Sequence, residues 1–363
     1  MAMTLTGITA RTLDAISRAI RGDLRREMPE ADATIWPNNM AILSKVFAMA
    51  TRQVELRLEW AYRQLFASTA DARQLERHAY EFGLARKAPA AASGYIDAEG
   101  TADTIYPAGL AWISGTARYI AAADALSGAD GAVRFYVVAE ATGAATNRGA
   151  GEELAFADAA AAPTLSAVAT VGEDGLGGGA DTESDDSLRA RVLDRKRRPP
   201  QGGATSDYEQ IARAYPGVSA AWAYAWSHGP GTVGVWFLFD GRANGIPTDA
   251  DVAAVQDWID TSRLIRARLV VAAPVAAPVD VFISGLTTDT LATRSAIEAS
   301  LRAMFAARAR PGVASAPLLF SRSWISEAIS QAIGEEQHYL SAPQFDLVFA
   351  AGEMPVLGQV FYG

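Results

Sequence analysis

The chain has 363 residues, half of them hydrophobic, and a formal net charge of −9, so it can form about two to four domains and gives no electrostatic support for a nucleic-acid partner. The absence of cysteine excludes disulfides, thiolate metal sites and cysteine nucleophiles. The first residues lack a secretory signal pattern, and Pro274 and Pro278 interrupt the most apolar stretch, residues 269–281, so we predict no membrane span.

Residues 1–88 are predicted to form an N-terminal helical domain. A first helix is expected after Thr9 as its cap, and a third between Asp71 and Gly83. A turn at residues 36–39 precedes a longer second helix, whose charged side we expect to face solvent. The predicted solvent side carries Arg52, Glu55, Arg57, Glu59 and Arg63. The apolar stripe predicted to be buried consists of Leu43, Val46, Phe47, Ala50, Val54, Leu58, Ala61 and Leu65.

The sequence pattern changes over residues 89–180. Here short segments, in which apolar and polar residues alternate, are separated by glycine turns. Such a pattern predicts several short strands and a β-sandwich-like domain, with a barrel-like unit as the variant. The domain ends in the glycine-rich residues 172–179, which we interpret as a flexible linker.

Two small α+β domains are predicted over residues 181–275 and 276–363. Acidic residues 181–186 open a helix that ends in the basic residues 195–198, which suits the helix dipole. The further predicted helices cover 206–215, 249–263, 290–308 and 323–333, and the strands 218–226, 233–239, 279–284, 345–349 and 359–362. The fold class is therefore an α+β multidomain protein with an N-terminal helical region.

Two motifs that suggest ion or phosphate binding are incomplete. Residues 175–179 lack the Lys-Ser/Thr pair of a phosphate-binding loop and the spacing of a dinucleotide fingerprint. The alternating acids Asp181, Glu183 and Asp185 start like a calcium loop, but Asp186 and Val192 stand where that loop needs glycine and glutamate. We interpret the acids as helix-capping residues, with Thr182 or Ser184 as the cap.

Enzyme chemistry has little support in the sequence. The three histidines, His78, His228 and His338, lie far apart, and no Gly-x-Ser-x-Gly motif occurs. The neighbouring acids at 152–153 and 335–336 are better explained as surface residues than as a glycosidase pair. We therefore predict no catalytic residue, no cofactor and no metal.

Two further clusters, one basic and one aromatic, can each be explained by a structural role or by a binding role. The basic residues 195–198 are better explained as a helix end that forms salt bridges, with a protein partner as one option for these, than as a nucleic-acid site. The alternating aromatic residues 222–226 are predicted to be one face of a strand packed on its helices. A contact surface in an oligomer is the alternative for them.

The order of motifs from about residue 70 onward resembles the baseplate J-like protein family. The matching segments are 75–86, 88–94, 100–101, 105–109, 139–143, Asn147, 151–154, 179–191, 202–203, 207–208, 215–218 and 352–358. Tyr106 departs from the family pattern, since an apolar residue usually precedes that proline. Residues 122–131 are a second departure, because this loop is rich in alanine.

The resemblance implies a structural baseplate wedge subunit of a contractile phage tail, assembled in the host cytoplasm and located in the virion. It implies dimers of this chain within a six-fold ring, contacts with a neighbouring wedge protein, the tail hub, the sheath and tail-fibre components, and a rearrangement that triggers sheath contraction. No nucleic-acid or membrane partner is implied. We predict that the N-terminal helices and the last domain carry most inter-subunit contacts.

Three alternatives remain. A tail-associated cell-wall hydrolase would need a catalytic cluster that the sequence does not display. A receptor-binding or saccharide-binding tail module would be supported by exposed Trp and Tyr loops, but such modules are mostly all-β. A subunit of a headless contractile particle fits the same residues as a phage subunit.

Overall fold

The computed structural model describes residues 9–30, 39–225, 227, 229–262, 268–313 and 317–363. The chain divides into two compact units, Met1–Arg86 with Ser184–Arg197, and Lys87–Glu183 with Arg198–Gly363. Within the described residues, eight α-helices and five sheets confirm a mixed α+β protein. No helix of that part is both long and apolar enough to cross a membrane.

The first unit is helical. It contains α1 (Leu13–Glu27), α2 (Asn39–Gln64), α3 (Ala72–Glu81) and α4 (Asp185–Arg197). The cap of α1 is Thr12, whose side chain accepts a hydrogen bond from the Ala15 N–H, and not Thr9 as predicted. Asp71 precedes α3 and Gly83 follows it with φ +66°, as predicted. Of the turn predicted at residues 36–39, residues 36–38 lie outside the described residues, and Asn39 is the first residue of α2.

Helix α4 packs against α3. Both helices contribute to one small apolar core, formed by Ala67, Ala70, Leu75, Ala79, Leu188 and Val192. The Arg189 side chain donates to the carbonyls of Ala67 and Ala70, at 3.2 and 3.1 Å. Ser184 is the cap, since its hydroxyl accepts from the Ser187 N–H. A segment that we predicted in the middle domain therefore has its core contacts with the N-terminal helices.

The second unit begins with a closed barrel, which is the barrel-like form that we gave beside the β-sandwich for this region. Strand β1 pairs with both β6 and β8, so the sheet has no free edge. The six barrel strands follow the order β1-β6-β4-β3-β7-β8. Their bounds are β1 (Ser93–Glu99), β3 (Ala111–Ser114), β4 (Ala117–Ala121), β6 (Ala132–Ala139), β7 (Glu153–Phe156) and β8 (Val168–Val171). A separate ribbon pairs β2 (Ile105–Tyr106) with β5 (Ala125–Leu126).

The barrel core is filled by aromatic side chains from alternate strand positions. Trp112, Tyr119 and Phe135 are fully buried, and the Trp112 and Phe135 ring centroids lie 4.8 Å apart. The hydroxyl of Tyr119 donates to the Thr146 carbonyl at 2.7 Å. The period-two burial of β6 is the pattern that the sequence predicted for a half-buried strand.

The middle sheet has the order β11-β10-β9, with two helices on one face. Its elements are α5 (Thr205–Ala214), β9 (Val218–Ala225), β10 (Thr232–Phe239), α6 (Asp249–Asp260) and β11 (Arg268–Ala272). The face of β9 packed on the helices carries Ala221 and Ala223, and not the aromatic residues as we predicted. Trp222 and Tyr224 lie half-buried on the opposite face. Trp226 lies outside the described residues.

The C-terminal sheet has the order β14-β12-β16. Its core surrounds Phe320, which stacks on Phe305 at 4.9 Å. The sequence did not predict β13 or β14, and β16 is longer than expected, because the short apolar segments at the C-terminus gave little periodicity. The elements are β12 (Val275–Ser284), α7 (Leu291–Arg308), β13 (Leu318–Phe320), α8 (Arg322–Ser330), β14 (Tyr339–Ala342), β15 (Leu347–Phe349) and β16 (Glu353–Tyr362).

Candidate assembly surfaces

Helix α2 packs on α1 through its small and polar side. Ser44 and Ala48 are its buried residues. Glu55 accepts hydrogen bonds from the Arg11 side chain and from the Arg11 N–H, and Glu59 accepts from the Ala10 N–H at 3.1 Å. The hydrogen bonds from Arg11 lower the pKa of the Glu55 carboxyl. Glu55 and Glu59, which we predicted on the solvent side, therefore hold the start of α1.

The apolar stripe of α2 is exposed, which contradicts our prediction that it is buried. Its side chains within α2 have exposed fractions of 58% for Phe47, 57% for Val54 and 52% for Leu58. The spacing correctly predicted one continuous face. It could not tell whether that face is covered by the same chain or by a partner, because both give the same 3.6-residue period.

The glycine-rich residues 172–179 are held by hydrogen bonds, so our interpretation as a flexible linker is wrong. The Asn147 side chain brackets Gly179, donating to its carbonyl at 2.9 Å and accepting from its N–H at 2.8 Å. Leu176 is fully buried and exchanges two backbone hydrogen bonds with Arg148. A Cβ on Gly179 would lie 2.5 Å from the Thr146 hydroxyl, which explains why glycine is required there.

A buried ion pair joins this loop to the middle sheet. Arg242 Nε and Nη2 donate to the two Asp251 carboxylate oxygens at 2.8 and 3.0 Å, and Nη1 donates to the Gly175 carbonyl at 3.1 Å. The side chains of the pair are only 3% and 8% exposed. The same carboxylate accepts from the N–H and the hydroxyl of Thr248, which begins α6. The loop, the barrel and α6 are thereby tied together.

The predicted acidic candidates separate into different contacts. Asp181 accepts from the Ala144 N–H, Glu183 from the Lys87 N–H, and Asp185 pairs with Arg86 at 2.7 Å. No group of three or more metal-ligating side chains occurs in the described part of the chain. Of the pair 152–153, Glu152 accepts from the Gly149 N–H at 2.8 Å. These carboxylates stabilise turns and helix starts.

The basic residues at the end of α4 also make local contacts. The Lys196 ammonium lies 5.3 Å from the centre of the Phe82 ring. Arg198 pairs with Glu209 at 3.0 Å. The Arg198–Glu209 pair fits our interpretation of this cluster as a helix end that forms salt bridges.

Two of the three histidines lie in the described residues, and both are packed. The His78 Nε2 lies 2.9 Å from the Gln64 carbonyl. The His338 Nδ1 lies 2.8 Å from Glu335 Oε1, and its Nε2 lies 3.1 Å from the Ser326 hydroxyl. His228 lies outside the described residues.

Ser326, His338 and Glu335 have the hydrogen-bond order of a hydrolase triad, which the sequence could not predict. Ser326 lies inside α8, where backbone N–H groups donate to carbonyls one turn earlier and cannot form an oxyanion hole. The cavity of about 260 Å³ beside α8 is lined by Trp324, Glu327 and others but not by Ser326. The geometry therefore supports a buried, hydrogen-bonded histidine better than a catalytic one.

Comparison with known proteins places these features in a family. Residues 200–283 match the model of the baseplate J-like central domain, and residues 279–363 match that of the baseplate J-like protein C-terminal domain. The chain is 32% identical over 333 residues to the baseplate protein gp47 of Escherichia phage Mu, with 86% of this chain and 87% of the relative covered. The chain belongs to the baseplate J-like family.

Two further similarities accompany this assignment. The chain is 29% identical over 335 residues to the Mu-like prophage FluMu protein gp47 of Haemophilus influenzae, with 89% of this chain and 91% of the relative covered. A chain in the cryo-EM structure of the anti-feeding prophage baseplate, 6-fold symmetrised, is 12% identical with a TM-score of 0.37, covering 98% of this chain and 91% of that one. At this TM-score the likeness supports no conclusion on its own.

Several of the motifs that carry the baseplate J-like resemblance now have a structural role. Asn147 and Gly179 form the bracket that holds the glycine-rich loop. Gly217 has φ +85°, and a Cβ there would lie 2.9 Å from the Phe239 ring. Asp207, in the first turn of α5, accepts from the N–H groups of Gln201, Gly203 and Ala204. These motif residues hold turns and a helix start within the second unit.

Proposed function

We propose that the chain is a baseplate wedge subunit of a contractile phage tail. Membership of the baseplate J-like family and the identity with the baseplate protein of phage Mu support the coarser statement, that it is a component of a phage-tail baseplate. The wedge position, a six-fold ring around the tail hub and a part in the rearrangement that triggers sheath contraction are the further steps of the proposal.

The observation that carries the proposal is the uncovered apolar surface of α2. Nine large hydrophobic side chains between Asn39 and Gln64 are exposed. Soluble monomers rarely expose apolar patches of more than a few hundred Å², and larger ones mark protein contacts. A structural subunit that is covered by neighbours in an assembly accounts for such a helix, whereas an isolated enzyme does not.

The last domain offers a second apolar surface. Phe282 and Phe361 stack with ring centroids 4.4 Å apart and remain 41% and 39% exposed. Phe345 and Ile333 are exposed in the same domain. These residues support our proposal that the N-terminal helices and the last domain both carry inter-subunit contacts. Two different surfaces on one chain are what a closed ring with heterologous contacts requires.

The hydrogen-bonded glycine-rich loop, residues 172–179, bears on which parts of each subunit can move when the proposed ring rearranges. Because Arg242, Asp251 and Asn147 tie residues 172–179 to the barrel and the middle sheet, we propose that these parts move as one body. Rigid modules on hinges can switch interfaces together, and the hinge is then expected outside this loop.

Removal of residues 1–66 is expected to abolish baseplate assembly. The truncation deletes α1 and α2 but keeps α3, α4 and the barrel, whose cores do not involve α2. The test is complementation of a deletion of the gene with the truncated or the full-length chain, followed by electron microscopy of the lysates. Circular dichroism and thermal unfolding of the purified truncated chain control for its folding. Baseplates built from the truncated chain would contradict the proposal.

A further inference from the structure

A cavity of about 240 Å³ opens at the surface where the barrel meets the start of α6. Tyr95 and Tyr136 line it from the barrel, and they stand directly opposite each other on β1 and β6. Their ring centroids lie 5.2 Å apart, with the edge of one ring toward the other. Asp174, from the glycine-rich loop, and Asp249, the first residue of α6, also line the cavity. We call these four residues the Tyr–Asp pocket.

The two carboxylates of the Tyr–Asp pocket have no hydrogen-bond or ion-pair partner within the part of the chain that the structure describes. Both Asp174 and Asp249 are exposed. Asp249 lies at the positive end of the α6 dipole, which is equivalent to about half a unit charge. The helix therefore offsets only part of the two negative charges.

Two arginines lie beside the pocket, and each is held by another aspartate. Arg242 lines the cavity, but its guanidinium donates to both Asp251 oxygens at 2.8 and 3.0 Å. Arg134 Nε lies 3.5 Å from the Asp97 carboxylate. Each arginine charge is thus matched by that of its own aspartate, and the pocket itself stays acidic.

The size and the charge of the pocket restrict what it can bind. A volume of about 240 Å³ is below the roughly 300–1,000 Å³ of cavities that hold drug-sized ligands. Two unpaired carboxylates oppose a phosphate or another anion. A calcium ion takes about six to eight oxygen ligands, and no group of three or more metal-ligating side chains occurs among the described residues. A single organic cation, such as one basic side chain, fits these limits.

The tyrosine rings favour arginine as that side chain. The Arg134 guanidinium already lies 4.9 Å from the centre of the Tyr95 ring, so this ring attracts a guanidinium within the chain itself. A guanidinium is more weakly hydrated than an ammonium and stacks on aromatic rings. The chain carries a net charge of −9, so charge complementarity favours a basic protein over a second copy as the source of the arginine.

We propose that the Tyr–Asp pocket binds one arginine side chain of a different, basic protein. The guanidinium would contact a tyrosine ring and donate hydrogen bonds to Asp174 and Asp249. This inference goes beyond the proposed function and does not depend on it, because the pocket lies on the barrel and α6 and not on the apolar surfaces described above.

The test uses the full chain labelled with 3-fluorotyrosine at its 11 tyrosines. Fluorine NMR follows the signals of Tyr95 and Tyr136, which are assigned from Tyr95→Phe and Tyr136→Phe. The probes are acetyl-Gly-Arg-Gly-amide and the same peptide with citrulline, which has the shape of arginine without its charge. The arginine peptide should shift both signals and saturate at about millimolar concentration. The citrulline peptide should bind at least about tenfold more weakly, and added salt should weaken binding of the arginine peptide.

Matched variants identify the residues that bind. Asp174→Asn and Asp249→Asn keep the side-chain shape and remove one charge each, so each should weaken binding of the arginine peptide by about three- to tenfold. Glu336→Gln is the control, because it removes an exposed acid of the C-terminal domain that does not line the pocket, and it should leave the affinity unchanged. Circular dichroism checks that all three variants fold as the unchanged chain does.

Four outcomes would overturn the inference. These are equal affinity for the arginine and citrulline peptides, no shift of either tyrosine signal, unchanged affinity in both aspartate variants, or self-association of the chain that Asp174→Asn removes. The last would make a second copy the source of the arginine. None of them decides the wedge proposal, which depends on whether deletion of the gene removes baseplates from the lysate.

Discussion

Arg242→Leu is expected to destabilise the second unit by about 3–5 kcal/mol, the usual cost of removing one partner from a buried ion pair. The change leaves the Asp251 carboxylate, 8% exposed, without its guanidinium, and takes the Nη1 donor from the Gly175 carbonyl. A buried unpaired charge costs more than the pair contributes, because its desolvation is no longer compensated. The expected readout is a lower urea midpoint for the second unit.

The matched control is Arg294→Leu. Arg294 also donates through two nitrogens to one aspartate, Asp289, at 2.6 Å each, but the two side chains are 41% and 43% exposed. Solvent and salt screen such a pair, so its loss should shift the midpoint little. Similar shifts of the urea midpoint for both variants would show that the buried Arg242–Asp251 pair does not stabilise the second unit more than an exposed pair does. The double variant Arg242→Leu/Asp251→Leu should be more stable than Arg242→Leu, since it leaves no orphaned charge.

Trp112→Ala is expected to cost about 3–5 kcal/mol, the range for removing a large aromatic side chain from a core. Trp112 is fully buried in the barrel, with Phe135 and Phe156 at ring distances of 4.8 and 5.4 Å. The loss should appear as faster hydrogen exchange of the β1 and β6 amides, because the barrel is one cooperative sheet. Exchange is the suitable measurement here, since it reports the opening of the barrel strands separately from the rest of the chain.

Trp112→Phe is the control for this experiment. Within the described residues, the Trp112 indole N–H is buried without a hydrogen-bond partner. Phenylalanine removes that donor while it keeps most of the ring, so its cost should be clearly smaller than that of alanine. Equal losses for the two variants would mean that the barrel core does not depend on ring packing at this position.

The sequence predicted those parts of the fold that depend on local periodicity. Helix α3 between Asp71 and Gly83, the acidic start and basic end of α4, and the alternation of β6 follow from side-chain spacing and capping chemistry. Closure of the barrel does not, because it depends on pairing between Ile96 and Val171, which lie far apart along the chain. Short segments such as β13 carry too few residues for a period to emerge.

For the candidate surfaces too, local spacing could be read from the sequence, but contacts between distant residues could not. The apolar stripe of α2 was found by its spacing, but its exposure depends on which helix covers it, and α1 packs on the other side. The glycine-rich loop looked like a linker because composition does not reveal the hydrogen bonds of Asn147 and Arg242. The contact of Ser326 with His338 likewise forms only when α8 and the following turn fold together.

Negative-stain electron microscopy of lysates from an in-frame deletion of this gene tests the central claim most directly. The wedge account predicts filled heads without complete tails or baseplates, and recovery of tails when the full chain is supplied from a plasmid. Complete tails on particles that fail to infect would contradict the account, because a wedge subunit is needed to build the tail. That outcome would favour an enzyme or an adhesin.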